Sequence, residues 1–189
     1  RLYKEDISAS IVHTQMLVKQ KIIPSKEGKK IINGLNKIRS EIDRGKFVFK
    51  EKFEDIHLNI EKKLFDILGP IAGHMHTARS RNDQVVTDFK LWVKSSTEYI
   101  LQDISKVMKA LLKKAEKNIA TIMPGFTHLK NAQPISFAHY LLAYYEMLKR
   151  DKIRFENNLK LLDECPLGSA ALSGTSYKID RNFTSKKLG

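Results

Sequence analysis

Apolar residues recur at three- and four-residue steps along most of this chain, and glycine and proline separate the resulting segments. The pattern predicts helices at about 4–20, 25–44, 54–68 and 84–118, and a further helix from Pro134 to about 162. Gly45 is expected to stop the second helix, because glycine readily adopts the left-handed conformation that follows a helix end. Since no strand-like alternation of useful length is found, the predicted fold class is all-α.

The longest predicted helix defines the architecture. Neither glycine nor proline occurs between His74 and Met123, and an apolar stripe runs through the segment. A helix of roughly 35 residues would be about 52 Å long at about 1.5 Å per residue. Such a helix is typical of a large bundle. The stretches "MPGFTHLKNAQP" and "CPLGSAALSGTSYKID" are predicted to be loop and irregular structure.

The charge of the chain admits two interpretations. Lysine and arginine number 34 against 21 acidic residues, a formal net charge of +13. A nucleic-acid partner is one explanation. However, the lysines are scattered among acidic residues without an aromatic platform, which favours a solvated surface. Cys165 is the single cysteine, so no internal disulfide is expected and a cytoplasmic location is the simplest inference. The sequence contains no apolar run typical of a membrane span.

The first stretch with candidate chemistry is "HTARSRNDQ", residues 76–84, which holds Arg79 and Arg81 directly before the long helix. Free backbone N–H groups and the positive end of the helix dipole favour anions there, and an arginine fork binds both oxygens of a carboxylate. The pattern therefore predicts a carboxylate-binding site. The alternative is a capped helix N-terminus with its arginines in surface salt bridges.

The second stretch is "GFTHLKNAQP", in which His128 follows Thr127. A loop histidine with hydroxyl and amide neighbours suits a general acid or base, although polar surface is the alternative. His57, three residues after Glu54 and four before Glu61, is expected to form surface charge pairs. The sequence has no cysteine pair, "HExxH" motif or glycine-rich nucleotide loop, so neither a metal nor a cofactor is predicted.

Taken together, three stretches closely resemble the argininosuccinate lyase family: "HTARSRNDQVVTD", "MPGFTHLKNAQPISFAHYLLAYYEML" and "PLGSAALSGTSYKIDR". The resemblance implies a long-helix bundle of the fumarase/aspartase superfamily. Residues 1–75 would form an N-terminal helical region and residues 76–189 the first part of the central bundle. The later part of the bundle and the C-terminal domain would be missing, so the sequence is interpreted as a piece of a longer protein.

The resemblance also implies a function. Family members are cytoplasmic homotetramers that cleave argininosuccinate to arginine and fumarate without a cofactor, in arginine biosynthesis or the urea cycle. By motif matching, Ser10, Arg81, Asn82 and Thr127 are expected to bind substrate and His128 to be the acid/base histidine. A catalytically idle, crystallin-like relative is the alternative.

Two departures from the family pattern qualify this expectation. Lys130 stands where the family usually has glutamine. The family's serine-bearing loop, the other half of the acid/base pair, would lie beyond Gly189, so the 189-residue chain alone is expected to be inactive.

The long helix also separates two of the expected site residues. Asn82 precedes it and His128 follows it, and the roughly ten connecting residues reach at most about 34 Å, less than the helix length. Asn82 and His128 of one substrate site are therefore expected to come from different subunits.

Overall fold

The structure, a computed structural model, describes residues 2–189. Within these residues, six α-helices and one β-hairpin follow one another: α1 (Tyr3–Lys19), α2 (Ser25–Asp43), α3 (Ile56–Leu68), α4 (Arg81–Glu116), β1 (Ile122–Thr127), β2 (Lys130–Ser136), α5 (Phe137–Leu162) and α6 (Arg181–Leu188). A 3₁₀ helix, Gly69–His76, connects α3 to the loop before α4. The mostly helical fold confirms the predicted class. None of the helices in residues 2–189 is long and apolar enough to cross a membrane.

The predicted helix ends agree closely with the structure. Gly45, with φ +66°, follows the last residues of α2 in the left-handed conformation that the sequence predicted. Asp55 precedes α3, and its side chain accepts a hydrogen bond from the backbone N–H of Leu58. This N-cap satisfies one of the amides that the first turn of a helix leaves without a partner.

The chain divides into two compact units. The first contains residues 2–92 and 164–189, and its core is built by α1, α2, α3 and the 3₁₀ helix. The buried apolar side chains of this core are Ile7, Met16, Leu17, Ile23, Ile31, Leu35, Ile38, Ile60, Leu64, Ala72 and Met75. Gly34 lets α2 approach α3 closely, because a Cβ there would lie 2.6 Å from Leu64 Cδ1. A glycine inside a helix is thus explained by packing.

The second unit, residues 93–163, has a much smaller core. Ala115, Ala138 and Leu141 are buried, with Leu111 and Phe137 packed against them. Part of the apolar stripe that predicted a bundle is exposed in this unit, at Ile100, Val107, Leu112 and Ile119. Apolar residues of α5 are exposed as well: Leu142, Met147, Ile153 and Leu161.

The segment 122–136 corrects the sequence prediction. Its residues up to Pro134 were expected to form a loop, but β1 and β2 pair antiparallel, from Ile122 opposite Ser136 to Thr127 opposite Lys130. The predicted helix start at Pro134 is wrong for the same reason: Pro134 lies in β2, and α5 begins at Phe137. His128 and Leu129 form the two-residue turn with φ of 46° and 61°, as a type I′ turn requires. Facing prolines and an irregularity in register between Pro124 and Phe126 hid the strands, because they break the alternation by which strands are recognised.

Gly125 is expected to be essential for the hairpin. A Cβ at this position would lie 2.6 Å from the backbone carbonyl oxygen of Gln133, which the paired strand cannot easily move. We predict that Gly125→Ala lowers the hydrogen-exchange protection of the β1 and β2 amides by about tenfold or more, since forcing an extra methyl group into a packed position costs about 1–3 kcal/mol. Gly73→Ala is the control, because no atom lies within 4 Å of its Cβ position. Unchanged protection in Gly125→Ala would contradict the prediction.

Candidate functional site

The start of α4 rests on a buried polar cluster in the first unit. The Asp6 Oδ1 atom of α1 accepts hydrogen bonds from Gln84 Nε2 at 2.6 Å and from His57 Nδ1 at 3.0 Å. His57 Nδ1 also lies 3.4 Å from Asp88 Oδ2. All four side chains are buried. One carboxylate therefore connects α1, α3 and α4.

His57 was expected at the surface, and that prediction is wrong. Only 3% of the residue is exposed, and it pairs with the two aspartates instead of Glu54 or Glu61. The reason lies in its position on α3: Ile60 and Leu64, three and seven residues later, share its face, and both are in the core. The partners on α1 and α4 are 51 and 31 residues away in sequence, so local spacing could not indicate them.

The two aspartates of the cluster differ in charge. Burial raises the pKa of Asp6, but the His57 hydrogen bond, Arg79 and Gln84 outweigh this effect and hold it below its ordinary value. Burial, together with the Asp6 charge, raises the pKa of Asp88 to about 9. Asp6 is therefore ionised and Asp88 is a neutral acid at neutral pH.

These groups also form the one potential metal-ligand group in residues 2–189. Ligand atoms of Asp6, His57 and Asp88 lie within 4.8 Å of one another. However, Asp6 already accepts two hydrogen bonds, and the buried Arg79 cation interacts electrostatically with both aspartates. A divalent cation would add positive charge beside that arginine, so the arrangement is better explained as an ion-pair network.

Arg79 supports the loop before α4 from inside. It is buried, and its Nη1 donates to Ser10 Oγ at 3.0 Å. His13, one turn along α1, contacts the Thr77 carbonyl oxygen through Nε2 at 2.9 Å. Burial and the nearby Arg79 lower the His13 pKa to about 3, so the neutral ring donates this hydrogen bond. The structure thus places Ser10, a predicted substrate-binding residue, beneath the surface as a partner of Arg79.

The first turn of α4 holds a distant loop. Asp83 Oδ1 accepts from the Ser80 amide, and Asp83 Oδ2 accepts from the amides of Gly168 and Ala170 at 2.9 and 2.8 Å. The Asn82 side chain donates to the Ala171 carbonyl oxygen at 3.1 Å. Loop 166–171 is therefore fastened to the start of α4, although about 85 residues separate them.

Arg81 is the half-buried arginine of the loop. Its Nη2 donates to Glu61 Oε2 at 2.8 Å and its Nη1 to Gln84 Oε1 at 2.7 Å. Burial opposes ionisation of Glu61, but the nearby His76 and the hydrogen-bonded Arg81 lower its pKa to about 2. Glu61 and Gln84 were not among the predicted site residues. Gln84 ends the stretch "HTARSRNDQ", which was the available signal for it, whereas Glu61 was considered only as a neighbour of His57.

Thr127 and His128 belong to the second unit. Thr127 ends β1 opposite Lys130, and His128 is the first turn residue of the hairpin. Both side chains are exposed. The structure thus brings Thr127 and His128 together at one turn, while Ser10, Arg81 and Asn82 lie in the first unit, on α1 and at the start of α4.

Comparison with protein families identifies the class. The family described as "Lyase" matches residues 1–189. The chain is 62% identical over 189 residues to argininosuccinate lyase of Pelagibacter ubique (strain HTCC1062), covering 100% of this chain and 41% of the relative. It is 53% identical over 188 residues to argininosuccinate lyase of Ehrlichia ruminantium (strain Welgevonden), again covering 100% of this chain and 41% of the relative. The chain therefore spans about two fifths of the length of these relatives.

Solved structures agree with this result. EDDS lyase in complex with formate is 29% identical, with a TM-score of 0.86 over 97% of this chain and 36% of that protein. A class II fumarase from Schistosoma mansoni, at 19% identity and a TM-score of 0.77, shares the fold over 99% of this chain and 43% of its own. The chain belongs to the lyase family, within the fumarase/aspartase superfamily.

The unequal aspartates predict a pH-dependent stability. Because the pKa of Asp88 is raised from 3.8 to about 9, the folded state retains a proton that the unfolded chain releases. Stability from this group is complete below about pH 4 and is lost as the pH rises towards about 9. We predict that Asp88→Asn, which cannot ionise, raises the melting temperature relative to the native chain at pH 8–9 more than at pH 5. The control is Asp103→Asn, at an exposed site on α4. An Asp88→Asn difference independent of pH would disprove the neutral acid.

Proposed function

We propose that the full-length protein is an argininosuccinate lyase, which converts argininosuccinate to arginine and fumarate in arginine biosynthesis. The observation that carries the proposal is 62% identity over all 189 residues to a relative of that name. Support comes from the site: the half-buried Arg81 stands at the N-terminus of α4, where the substrate's succinyl carboxylates would be favoured.

The proposed reaction is a β-elimination. A base removes a proton from the succinyl carbon next to a carboxylate, and the electrons of that C–H bond form the C=C bond of fumarate. The C–N bond breaks as the departing guanidino nitrogen takes up a proton. Negative charge grows on the carboxylate during proton removal, so a guanidinium bound there stabilises the transition state.

Each predicted residue has a part in this proposal. Ser10, Arg81, Asn82 and Thr127 would bind the substrate, and His128 would transfer a proton. The exposed position of His128 in a tight turn suits that role, since solvent and substrate can reach its ring. Ser10 accepts a hydrogen bond from Arg79, so its hydroxyl would contribute as a donor.

The proposal includes a homotetramer in the cytoplasm, with active sites shared between subunits. Helix α4 has 36 residues, so it is about 54 Å long, with Asn82 in its first turn and His128 beyond its last. The exposed apolar stripe of the second unit supports association, because such surface is usually covered. The division into a region 1–75 and a central bundle from residue 76 is part of the same proposal.

A direct assay tests the function. Fumarate release by the purified full-length protein, followed by absorbance, is expected with argininosuccinate as substrate, and the 189-residue chain alone is expected to show none. A well-folded full-length protein without turnover would favour the idle, crystallin-like alternative. Binding to duplex DNA that survives physiological salt would favour the nucleic-acid alternative.

Arg81→Lys is expected to weaken catalysis in the full-length protein. A planar fork is replaced by one ammonium group, and a hydrogen bond to a charged group contributes roughly 1.5–3 kcal/mol. We predict a fall of about 10- to 150-fold in kcat/KM, measured by steady-state kinetics. Arg154→Lys on exposed α5 is the control. Unchanged kcat/KM in Arg81→Lys would make Arg81 a purely structural residue of the helix start.

Subunit mixing tests the shared site. Full-length Asn82→Ala and His128→Ala are each expected to be nearly inactive, but hybrid oligomers should contain some sites in which both residues are intact. We predict that co-expression restores activity, measured on oligomers whose hybrid composition is confirmed by mass. Hybrids as inactive as either parent would contradict sites built from different subunits.

A further inference from the structure

We propose that Glu61 is a positioning residue that orients Arg81 for a dicarboxylate group of the ligand. The proposal rests on the proposed function, because it assumes that Arg81 meets the succinyl end of the substrate. Glu61 is on α3 and Arg81 begins α4, so the contact joins two helices. Its Oε2 atom lies 2.8 Å from Arg81 Nη2.

The guanidinium of Arg81 is held at both terminal nitrogens. Glu61 binds Nη2 and the Gln84 amide oxygen binds Nη1 at 2.7 Å. Two contacts on opposite ends of a planar group fix its plane. Five N–H donors are present in a guanidinium, so three remain after these two bonds. Some of them are available to a carboxylate without any change in the Arg81 rotamer.

Gln84 is itself held in place. Its Nε2 donates to the buried Asp6 carboxylate at 2.6 Å, and Asp6 is bound by His57. Arg81 Nη1 is thus connected through Gln84 to the buried Asp6, and Arg81 Nη2 is held by Glu61. Ordering an arginine side chain costs conformational entropy. Because Arg81 is already ordered in the folded protein, this cost does not reduce the affinity for the ligand.

Glu61 is suited to this position because it stays charged. The side chain is 23% exposed, and His76 Nδ1 lies 3.5 Å from Oε1 while Arg81 occupies Oε2. Two cationic or hydrogen-bonding neighbours hold its pKa at about 2, so it remains a carboxylate at every pH where an enzyme works. Its negative charge is therefore present to attract Arg81 before any ligand binds.

The effect should appear on one end of the substrate only. Of the two products, fumarate is the dicarboxylate formed from the succinyl end of argininosuccinate, and arginine is formed from the other end. If Glu61 orients Arg81, its loss weakens the affinity for fumarate but not for arginine. A residue that only stabilises the fold would alter both affinities together. Product inhibition of the full-length enzyme separates these cases.

The experiment compares Glu61→Ala, Glu61→Gln and the control Glu27→Ala in the full-length enzyme. Glu27 pairs with His74 at 2.6 Å, as Glu61 faces His76, but no arginine contact is found for it within residues 2–189. The fumarate inhibition constant is expected to rise about tenfold in Glu61→Ala, with a parallel rise in the KM for argininosuccinate. The arginine inhibition constant should change less than about twofold. Glu61→Gln, which keeps an acceptor oxygen, should show a smaller rise, and Glu27→Ala none.

Each other outcome overturns the proposal. An unchanged or lower fumarate inhibition constant in Glu61→Ala would show that Glu61 does not orient Arg81 or competes with the ligand for it. Equal changes for fumarate and arginine would show a structural role. If Glu61→Ala fails to fold, the same comparison is made with Glu61→Gln. Arg81→Ala distinguishes failure of this proposal from failure of the proposed function. An unchanged fumarate inhibition constant in Arg81→Ala would refute the role of Arg81 in the proposed function itself.

Discussion

The buried Asp6 carboxylate is the constraint on which the first unit depends. A charge without water requires hydrogen-bond donors around it, and here His57 and Gln84 supply them from α3 and α4. Asp88 adds a second carboxyl to the same place, and two negative charges there would repel each other strongly. The structure resolves this by keeping Asp88 neutral. Because the donors come from different helices, satisfying Asp6 also fixes where α4 begins relative to α1 and α3.

A second acidic residue, Asp83, holds a loop against the start of α4. Asp83 is one residue before Gln84, and its carboxylate accepts hydrogen bonds from the backbone amides of Ser80, Gly168 and Ala170. The Ser80 amide lies at the helix start, where backbone amides lack partners within the helix. The other two amides belong to loop 166–171. Loop 166–171 therefore takes its place from α4. Asn82, between Arg81 and Asp83, contributes the same kind of contact through Ala171.

Much of this fold could be predicted from sequence, because helix periodicity and stop signals are local. The ends of α1 and α2 and the role of Gly45 follow from residues within one or two turns. The hairpin could not be predicted, since prolines and an irregular register conceal its strands. His57 was placed wrongly for a related reason: its partners lie far away in sequence. For the candidate site, the motif indicated Arg81 and Asn82 but not Glu61, which contacts Arg81 from α3.

The two arginines of residues 76–84 show why motif and structure answer different questions. In sequence, Arg79 and Arg81 are equivalent cations two positions apart, and either one would suit a carboxylate. In the structure, the loop passes into a helix between them, so their side chains diverge. Arg79 is buried against Ser10 and balances the aspartates, so the fold itself consumes its charge. The Arg81 side chain remains 31% exposed, its two terminal nitrogens bind Glu61 and Gln84, and three N–H donors remain. A buried arginine cannot easily exchange its partners for a ligand, whereas a half-buried, prearranged one can. Of the two arginines, Arg81 is therefore the one whose exposure is compatible with the proposed carboxylate recognition.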